Sequence, residues 1–133
     1  MTITAELKNV TKTFGDKTVL DNVNLQIHKG EILALLGPNG SGKTTLLKIL
    51  AFIENPTSGE VKFKGEAVNF KKAEQARLRS TLVFQRTVLF GTSVYNNIAY
   101  GLKVRRTPKN VINEEVRNAL RMVRLEGFEK RPA

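Results

Sequence analysis

The chain has 133 residues, which suits one domain or part of one, and its composition, 41% hydrophobic and 26% charged, is typical of a globular protein. The absence of cysteine excludes disulfides and thiolate metal sites. No apolar run approaches the ~18 residues of a membrane span, and the N-terminus lacks the basic start and long apolar stretch of a secretory signal. These features predict a cytosolic protein, while a formal net charge of +10 raises the question of a nucleic-acid partner.

Alternation of apolar and polar residues predicts strands near the start of the chain. Apolar residues alternate over residues 3–10 and again over 19–27, and the polar segment 11–16 between them predicts a loop. The continuous apolar run at 32–36 predicts a strand buried on both faces, as in a parallel sheet covered by helices. This order indicates an α/β protein with an antiparallel addition at its N-terminus.

The rest of the chain predicts helices separated by short strands. Leucine and isoleucine at helical spacing predict a helix over residues 43–53. Asn113 is predicted to cap a last helix, with Glu114 and Glu115 in its first turn, where the helix dipole favours them. Four further short elements are predicted, two strands at 61–63 and 81–84 and two helical segments at 72–79 and 93–102.

A glycine-rich segment follows the predicted buried strand. It fits the pattern of Gly, four residues, Gly, Lys and Ser or Thr, and runs Gly37-Pro38-Asn39-Gly40-Ser41-Gly42-Lys43-Thr44. Its glycines permit positive φ angles, so the bent backbone can point N–H groups at an anion, and the next helix aims its positive end at the same point. Lys43 adds a charge for the β- and γ-phosphates, and Thr44 offers a hydroxyl to Mg²⁺. Residues 37–45 are therefore predicted to bind the triphosphate of Mg-ATP.

Around this loop the sequence resembles the ATP-binding subunit of ABC transporters. Residues 35–47 look like that family's phosphate loop, residues 55–61 like the loop and strand that follow it, and Leu82-Val83-Phe84-Gln85 like its glutamine loop. The resemblance covers nearly the whole chain. It implies an α/β fold with a P-loop NTPase (RecA-like) core and an N-terminal antiparallel β-subdomain. Residues 1–133 would be the N-terminal portion of that ATPase domain, with a helical subdomain starting at about residue 93.

The resemblance also implies roles for individual residues. Phe14 takes the place of an aromatic ring, most often Tyr, that stacks on adenine, and Val19 that of an apolar residue beside the base and ribose. Thr45 matches a residue that holds the α-phosphate. Gln85 matches the glutamine that reaches Mg²⁺ or the attacking water, so the resemblance implies that it is a metal ligand with Thr44 and a catalytic residue with Lys43. The implied nucleotide contacts are Phe14, Val19, Gly37, Pro38, Asn39, Gly40, Ser41, Gly42, Lys43, Thr44 and Thr45.

Members of this family work as assemblies at a membrane. The resemblance implies a transmembrane permease subunit, a second ATPase subunit (a homodimer in the full-length protein) and, indirectly, a solute-binding protein. The ATPase would lie peripherally on the cytoplasmic face of the cell membrane and couple ATP hydrolysis to import of a small solute. Residues 88–102 resemble importers of oxyanions such as tungstate, molybdate or phosphate, although the ATPase itself never touches the cargo.

Several parts of such an ATPase are not found in this sequence. It has no Leu-Ser-Gly-Gly signature, and no aspartate follows Asp21 to support Mg²⁺ and precede the general base. His28 is predicted to be a solvated strand-end residue, not the histidine that the family places at the γ-phosphate. We therefore expect the N-terminal part of a longer protein, truncated before the signature. Alone it would bind nucleotide weakly, barely hydrolyse it and expose the apolar strand at 32–36.

Three other interpretations stay open at this point. A nucleic-acid-associated P-loop ATPase would account for the positive charge, but the basic residues are scattered, and no nucleic-acid partner is expected. A kinase-like or GTPase enzyme is the second; the Asn-Lys-x-Asp motif by which GTPases read guanine is missing. The third is a structural or regulatory remnant that no longer hydrolyses ATP.

Overall fold

A computed structural model describes residues 2–86 and 88–133. The chain divides into two compact units, one ending at Leu82 and the other beginning at Val83. The first contains strands β1 (Ile3–Phe14), β2 (Lys17–His28), β3 (Ser58–Phe63) and β4 (Glu66–Ala67), with helix α1 (Lys43–Leu50), a 3₁₀ turn (Phe70–Lys72) and helix α2 (Glu74–Arg77). The second contains helices α3 (Val94–Val104) and α4 (Lys109–Met122). None of these helices is long and apolar enough to cross a membrane.

The first unit is built on a sheet in the order β2-β1-β3-β4. All its strand pairs are antiparallel, which confirms the predicted antiparallel addition at the N-terminus. Ala5 of β1 lies opposite Ile27 on one side and Phe63 on the other. The predicted loop at 11–16 is wrong in extent, because β1 continues to Phe14, which pairs with Lys17. Residues 12–14 pair with β2, and Thr11 pairs with Ser58 of β3, so tertiary contacts outweigh the weak strand pattern of this polar segment.

A bulge in β1 brings two backbones unusually close. Asn9 adopts a positive φ of 49°, and the register of β1 against β3 shifts between Lys8 and Thr11. Opposite it, Gly59 has φ 89°, and a Cβ atom at this position would lie 2.4 Å from the carbonyl oxygen of Asn9. Only a residue without a side chain fits this crossing.

The core of the first unit lies between the sheet and α1. Phe52 is 1% exposed, and its ring contacts those of Phe63 and Phe70 at centroid distances of 5.3 and 6.4 Å. Arg77 ties α2 to this cluster by donating to the carbonyls of Phe52 and Phe70 at 2.8 and 3.0 Å. The other buried members are Leu7, Val10, Leu20, Leu46, Ile49, Val61 and Ala73.

The predicted strand at 32–36 is wrong in the described structure. Residues 31–38 have no regular secondary structure, and Ile32 and Leu36 are 97% and 92% exposed. A strand needs neighbours to complete its backbone hydrogen bonds, and no described strand pairs with this segment. The predicted strand at 81–84 is wrong for the same reason, and Val83 is 88% exposed. The expectation that apolar side chains at 32–36 are exposed is confirmed by Ile32 and Leu36.

The predicted helices are confirmed, but their limits differ. Helix α1 ends at Leu50 because Phe52 turns to φ 60° and the N–H groups of Ile53 and Glu54 both donate to the carbonyl of Lys48. Helix α4 begins at Lys109, so the prediction that Asn113 caps it is wrong. Pro108 fixes the start, since its φ of −57° is set for helix entry, and Asn113 instead accepts a hydrogen bond from the Tyr95 hydroxyl.

The second unit has a small helical core of its own. Ala99 of α3 packs with Ile112, Val116 and Leu120 of α4, and all four side chains are buried. Ser93 caps α3 by accepting from the N–H of Asn96 at 3.2 Å. The predicted helical character of 93–102 is therefore confirmed.

Candidate functional site

The glycine loop turns directly into α1. Gly40 and Gly42 have φ angles of 83° and 89°, the left-handed conformation that glycine adopts without strain. Gly42 occupies the N-cap position, where it supplies no side-chain cap, and the first helical hydrogen bond runs from Leu46 N–H to its carbonyl at 2.9 Å. The N–H groups of the first turn therefore have no acceptor within the helix and point out of its positive end.

Lys43 closes the loop on itself. Its ammonium donates to the carbonyl oxygens of Gly37 and Pro38, both at 2.7 Å, and lies 3.4 Å from the hydroxyl of Ser41. The N–H of Ser41 donates to Pro38 at 3.3 Å. The charge of Lys43 is thus held at the centre of the loop rather than extended into solvent.

Strand β2 supports the loop from behind. A Cβ atom on Gly42 would lie 2.8 Å from the carbonyl oxygen of Val19 and 2.9 Å from the side chain of Leu20. The structure therefore brings two predicted site residues, Gly42 and Val19, into contact. Thr44 is exposed at the start of the helix and Thr45 is half-buried beside it.

Phe14 lies at the end of the β1–β2 hairpin, with 49% of its surface exposed. The Lys12 ammonium sits 4.7 Å from the centre of its ring. This lysine was not singled out from the sequence, although residues i and i+2 of a strand share a face and the pair could have been noticed on that ground.

Two other residues discussed from the sequence, Gln85 and His28, lie outside the glycine loop. Gln85 belongs to the second unit, where it is exposed in a segment without regular secondary structure. His28 ends β2 as predicted, but its ring is only half-exposed. Its Nδ1 atom is buried without a hydrogen-bond partner among the described residues, so the histidine is not simply solvated.

A glycine loop that leads into a helix with Lys and Thr at its start, beside a β-sheet, defines the class of P-loop nucleotide-binding proteins. Residues 20–133 match the sequence model of the ABC transporter family, and the chain belongs to that family.

Named relatives agree with this assignment. The chain is 46% identical over 127 residues to the spermidine/putrescine import ATP-binding protein PotA of Clostridioides difficile (strain 630), and 45% identical to the Fe(3+) ions import ATP-binding protein FbpC of Escherichia coli (strain K12). Each match covers 95% of this chain and 36% of the relative. The chain thus spans about a third of the length of the curated relatives it matches.

Solved structures show the same fold. One is cbiO1 from Clostridium perfringens, part of the ABC transporter complex cbiONQ, with a TM-score of 0.81 and 28% identity. That match covers 99% of this chain and 55% of cbiO1. The ATP-binding cassette MJ0796, in a dimeric post-hydrolysis state bound to ADP and Pi, has a TM-score of 0.81 and 30% identity. That match covers 96% of this chain and 61% of the neighbour. The predicted α/β ABC ATPase fold is confirmed.

Proposed function

We propose that this chain binds Mg-ATP through residues 37–45 and forms the N-terminal part of the ATPase subunit of an ABC importer. The observation that carries the proposal is the start of α1. Its first-turn N–H groups have no helical acceptor, and the Lys43 ammonium is held in the same loop, so both supply donors for an anion. The relatives support it, because their names describe import ATP-binding proteins and one solved neighbour holds ADP and Pi.

The residues present fit a polyphosphate. An ammonium has three donors, and Lys43 uses two of them on loop carbonyls at 2.7 Å. The third has only a long contact of 3.4 Å with the Ser41 hydroxyl, which a phosphate oxygen would replace. We assign Lys43 to the β- and γ-phosphates and Thr45 to the α-phosphate. Phe14 would stack on adenine with its exposed ring, and Val19 would lie beside the base and ribose.

The residues also fit Mg²⁺, a hard cation that prefers oxygen and usually keeps several waters. We assign one protein ligand to the hydroxyl of Thr44, an exposed residue of the first unit. Gln85, whose amide oxygen suits the same ion, is kept as a proposed ligand on the sequence resemblance alone. Among the described residues no group of three or more His, Cys, Asp or Glu side chains could hold a metal. Most of the negative charge around the ion would thus come from the nucleotide's own phosphates.

In the whole protein we propose that ATP hydrolysis drives import of a small solute. Lys43 would stabilise charge on the transferred phosphoryl group, and Gln85 would orient water or metal. The partners would be a transmembrane permease, a second ATPase subunit and, indirectly, a solute-binding protein, at the cytoplasmic face of the membrane. An oxyanion such as tungstate stays a prediction that the relatives do not support, because those named above are named for spermidine/putrescine or Fe(3+) import.

The test is titration of the chain with a fluorescent ATP analogue and Mg²⁺. Lys43→Ala should weaken binding by about tenfold or more, because it removes the charge at the centre of the loop. Lys48→Ala, which removes a lysine from the same helix away from the loop, is the control and should change the affinity less than about twofold. Equal affinities of the wild type and Lys43→Ala would reject the proposed site.

A further inference from the structure

Lys12 is held unusually firmly for a surface lysine. Its side chain is only 12% exposed, and its ammonium forms an ion pair with Glu54 at 2.5 Å and donates to the carbonyl of Asn55 at 2.7 Å. The same ammonium lies over the Phe14 ring at 4.7 Å from the centroid. With an ion pair, a hydrogen bond and the ring all within reach of one ammonium, the lysine has little freedom to move away from the ring.

These contacts attach the end of β1 to the loop that follows α1. Thr57 donates its backbone N–H to Thr11 at 2.8 Å, and its hydroxyl accepts from the N–H of Thr13 at 3.0 Å. The same loop contains Glu54 and Asn55, which hold Lys12. The segment that carries Phe14 is therefore fastened to the C-terminal end of the helix whose N-terminal end carries the glycine loop.

We propose that Lys12 is a positioning residue for nucleotide binding, which sets the orientation of the Phe14 ring. This rests on the proposed function, in which Phe14 stacks on the adenine base. The ammonium attracts the face of the ring over which it lies and leaves the exposed part of the ring for the base. Lys12 thereby acts on recognition of the base and not on binding of the phosphates.

The test compares two ligands, MgATP and inorganic tripolyphosphate, by titration calorimetry on the wild type and Lys12→Met. Methionine keeps an unbranched apolar side chain and removes the charge. The variant should bind MgATP about five- to tenfold more weakly while its affinity for tripolyphosphate changes less than about twofold. Lys12→Arg, which restores a cation, should recover most of the lost affinity for MgATP.

Lys17→Met is the matched control, because Lys17 is exposed and lies opposite Phe14 in the register of the hairpin. Among the described residues its ammonium forms none of the ion pairs or cation–π contacts that Lys12 makes. Lys17→Met should change both affinities less than about twofold. In a Phe14→Ala background, Lys12→Met should cause no further loss for MgATP, since the ring it orients is gone. An equal loss for both ligands, or a full additional loss in that background, would overturn the proposal.

A wild type that binds neither ligand would reject the proposed function instead. The assignment of Lys12 would then be decided by the aromatic NMR signals of Phe14. Lys12→Met should shift or broaden these signals, and Lys17→Met should leave them close to the wild type. Unchanged signals in Lys12→Met would overturn the positioning role on their own.

Discussion

The two units of the chain bury their cores in different ways. In the first, residues far apart in sequence meet, such as Leu7 of β1, Ile49 of α1 and Val61 of β3. In the second, the buried side chains come from two consecutive helices, from Ala99 to Leu120. The first unit therefore depends on long-range strand pairing, and the second on a local helical hairpin. The candidate phosphate loop belongs to the first unit, whose packing joins residues that are far apart in sequence.

Among the substitutions that test the separation of the two cores, the largest loss of stability is expected at Phe52. Phe52→Ala removes a ring at the centre of the first core and should lower the free energy of unfolding by about 4 kcal/mol. Urea unfolding followed by circular dichroism measures the loss. Hydrogen exchange should show faster exchange in β1–β3 with little change in α3 and α4. The neighbouring Ile53, which is 49% exposed, is the control, and Ile53→Ala should cost far less.

Leu120→Ala gives the reciprocal experiment in the second unit. Leu120 is 1% exposed, and its truncation should cost about 3 kcal/mol and speed exchange in α3 and α4. Met122→Ala, on the same helix but 85% exposed, should be close to neutral. If Leu120→Ala destabilised the β-strands as strongly as its own helices, the distinction between two separate cores would be wrong.

A smaller effect is expected inside the glycine loop. Gly42→Ala places a methyl group 2.8 Å from the Val19 carbonyl and forces alanine into φ 89°, which should cost about 2 kcal/mol. Gly40→Ala has a similar φ of 83° but nothing within 4 Å, and should cost about 1 kcal/mol. Thermal unfolding of both variants measures the difference. Equal losses would mean that contact with β2 does not fix the loop.

The smallest effect is the pH dependence of the stability that Glu6 of β1 contributes to the sheet. The Gln26 amide donates to Glu6 at 2.7 Å, and this hydrogen bond, aided by nearby Lys8, lowers the pKa of Glu6 below its usual value. Because the folded pKa is the lower one, the stabilisation is present above the unfolded pKa and is lost as the pH falls through the folded pKa. The melting-temperature difference between wild type and Glu6→Gln should therefore shrink from neutral pH to about pH 3. A constant difference would contradict this.

Much of the first unit could be predicted from the sequence. The alternation in β1 and β2 and the helical spacing in α1 reflect faces that the structure does bury, as at Leu7 and Ile49. The glycine loop was predicted with its helix because Gly, Lys and Thr at fixed spacing encode a local conformation. Structures encoded by such local patterns depend on few contacts with residues distant in sequence.

The errors have a common physical cause. An apolar run such as 32–36 indicates which residues favour burial, but it does not show whether strands lie alongside to accept its hydrogen bonds. The extension of β1 to Phe14 and the start of α4 at Lys109 were likewise set by pairing and by Pro108. Lys12 was missed because its three contacts come from Phe14 and from a loop more than forty residues later.

The close crossing at Gly59 has a genetic consequence. Every single-nucleotide missense change of a glycine codon introduces a Cβ atom, and here that atom would meet the Asn9 carbonyl at 2.4 Å. No conservative replacement therefore exists at this codon. In a library selected for the folded protein, all missense alleles of Gly59 should be depleted together, whereas Gly91, which has no positive φ and nothing within 4 Å of an added Cβ, should tolerate several residues.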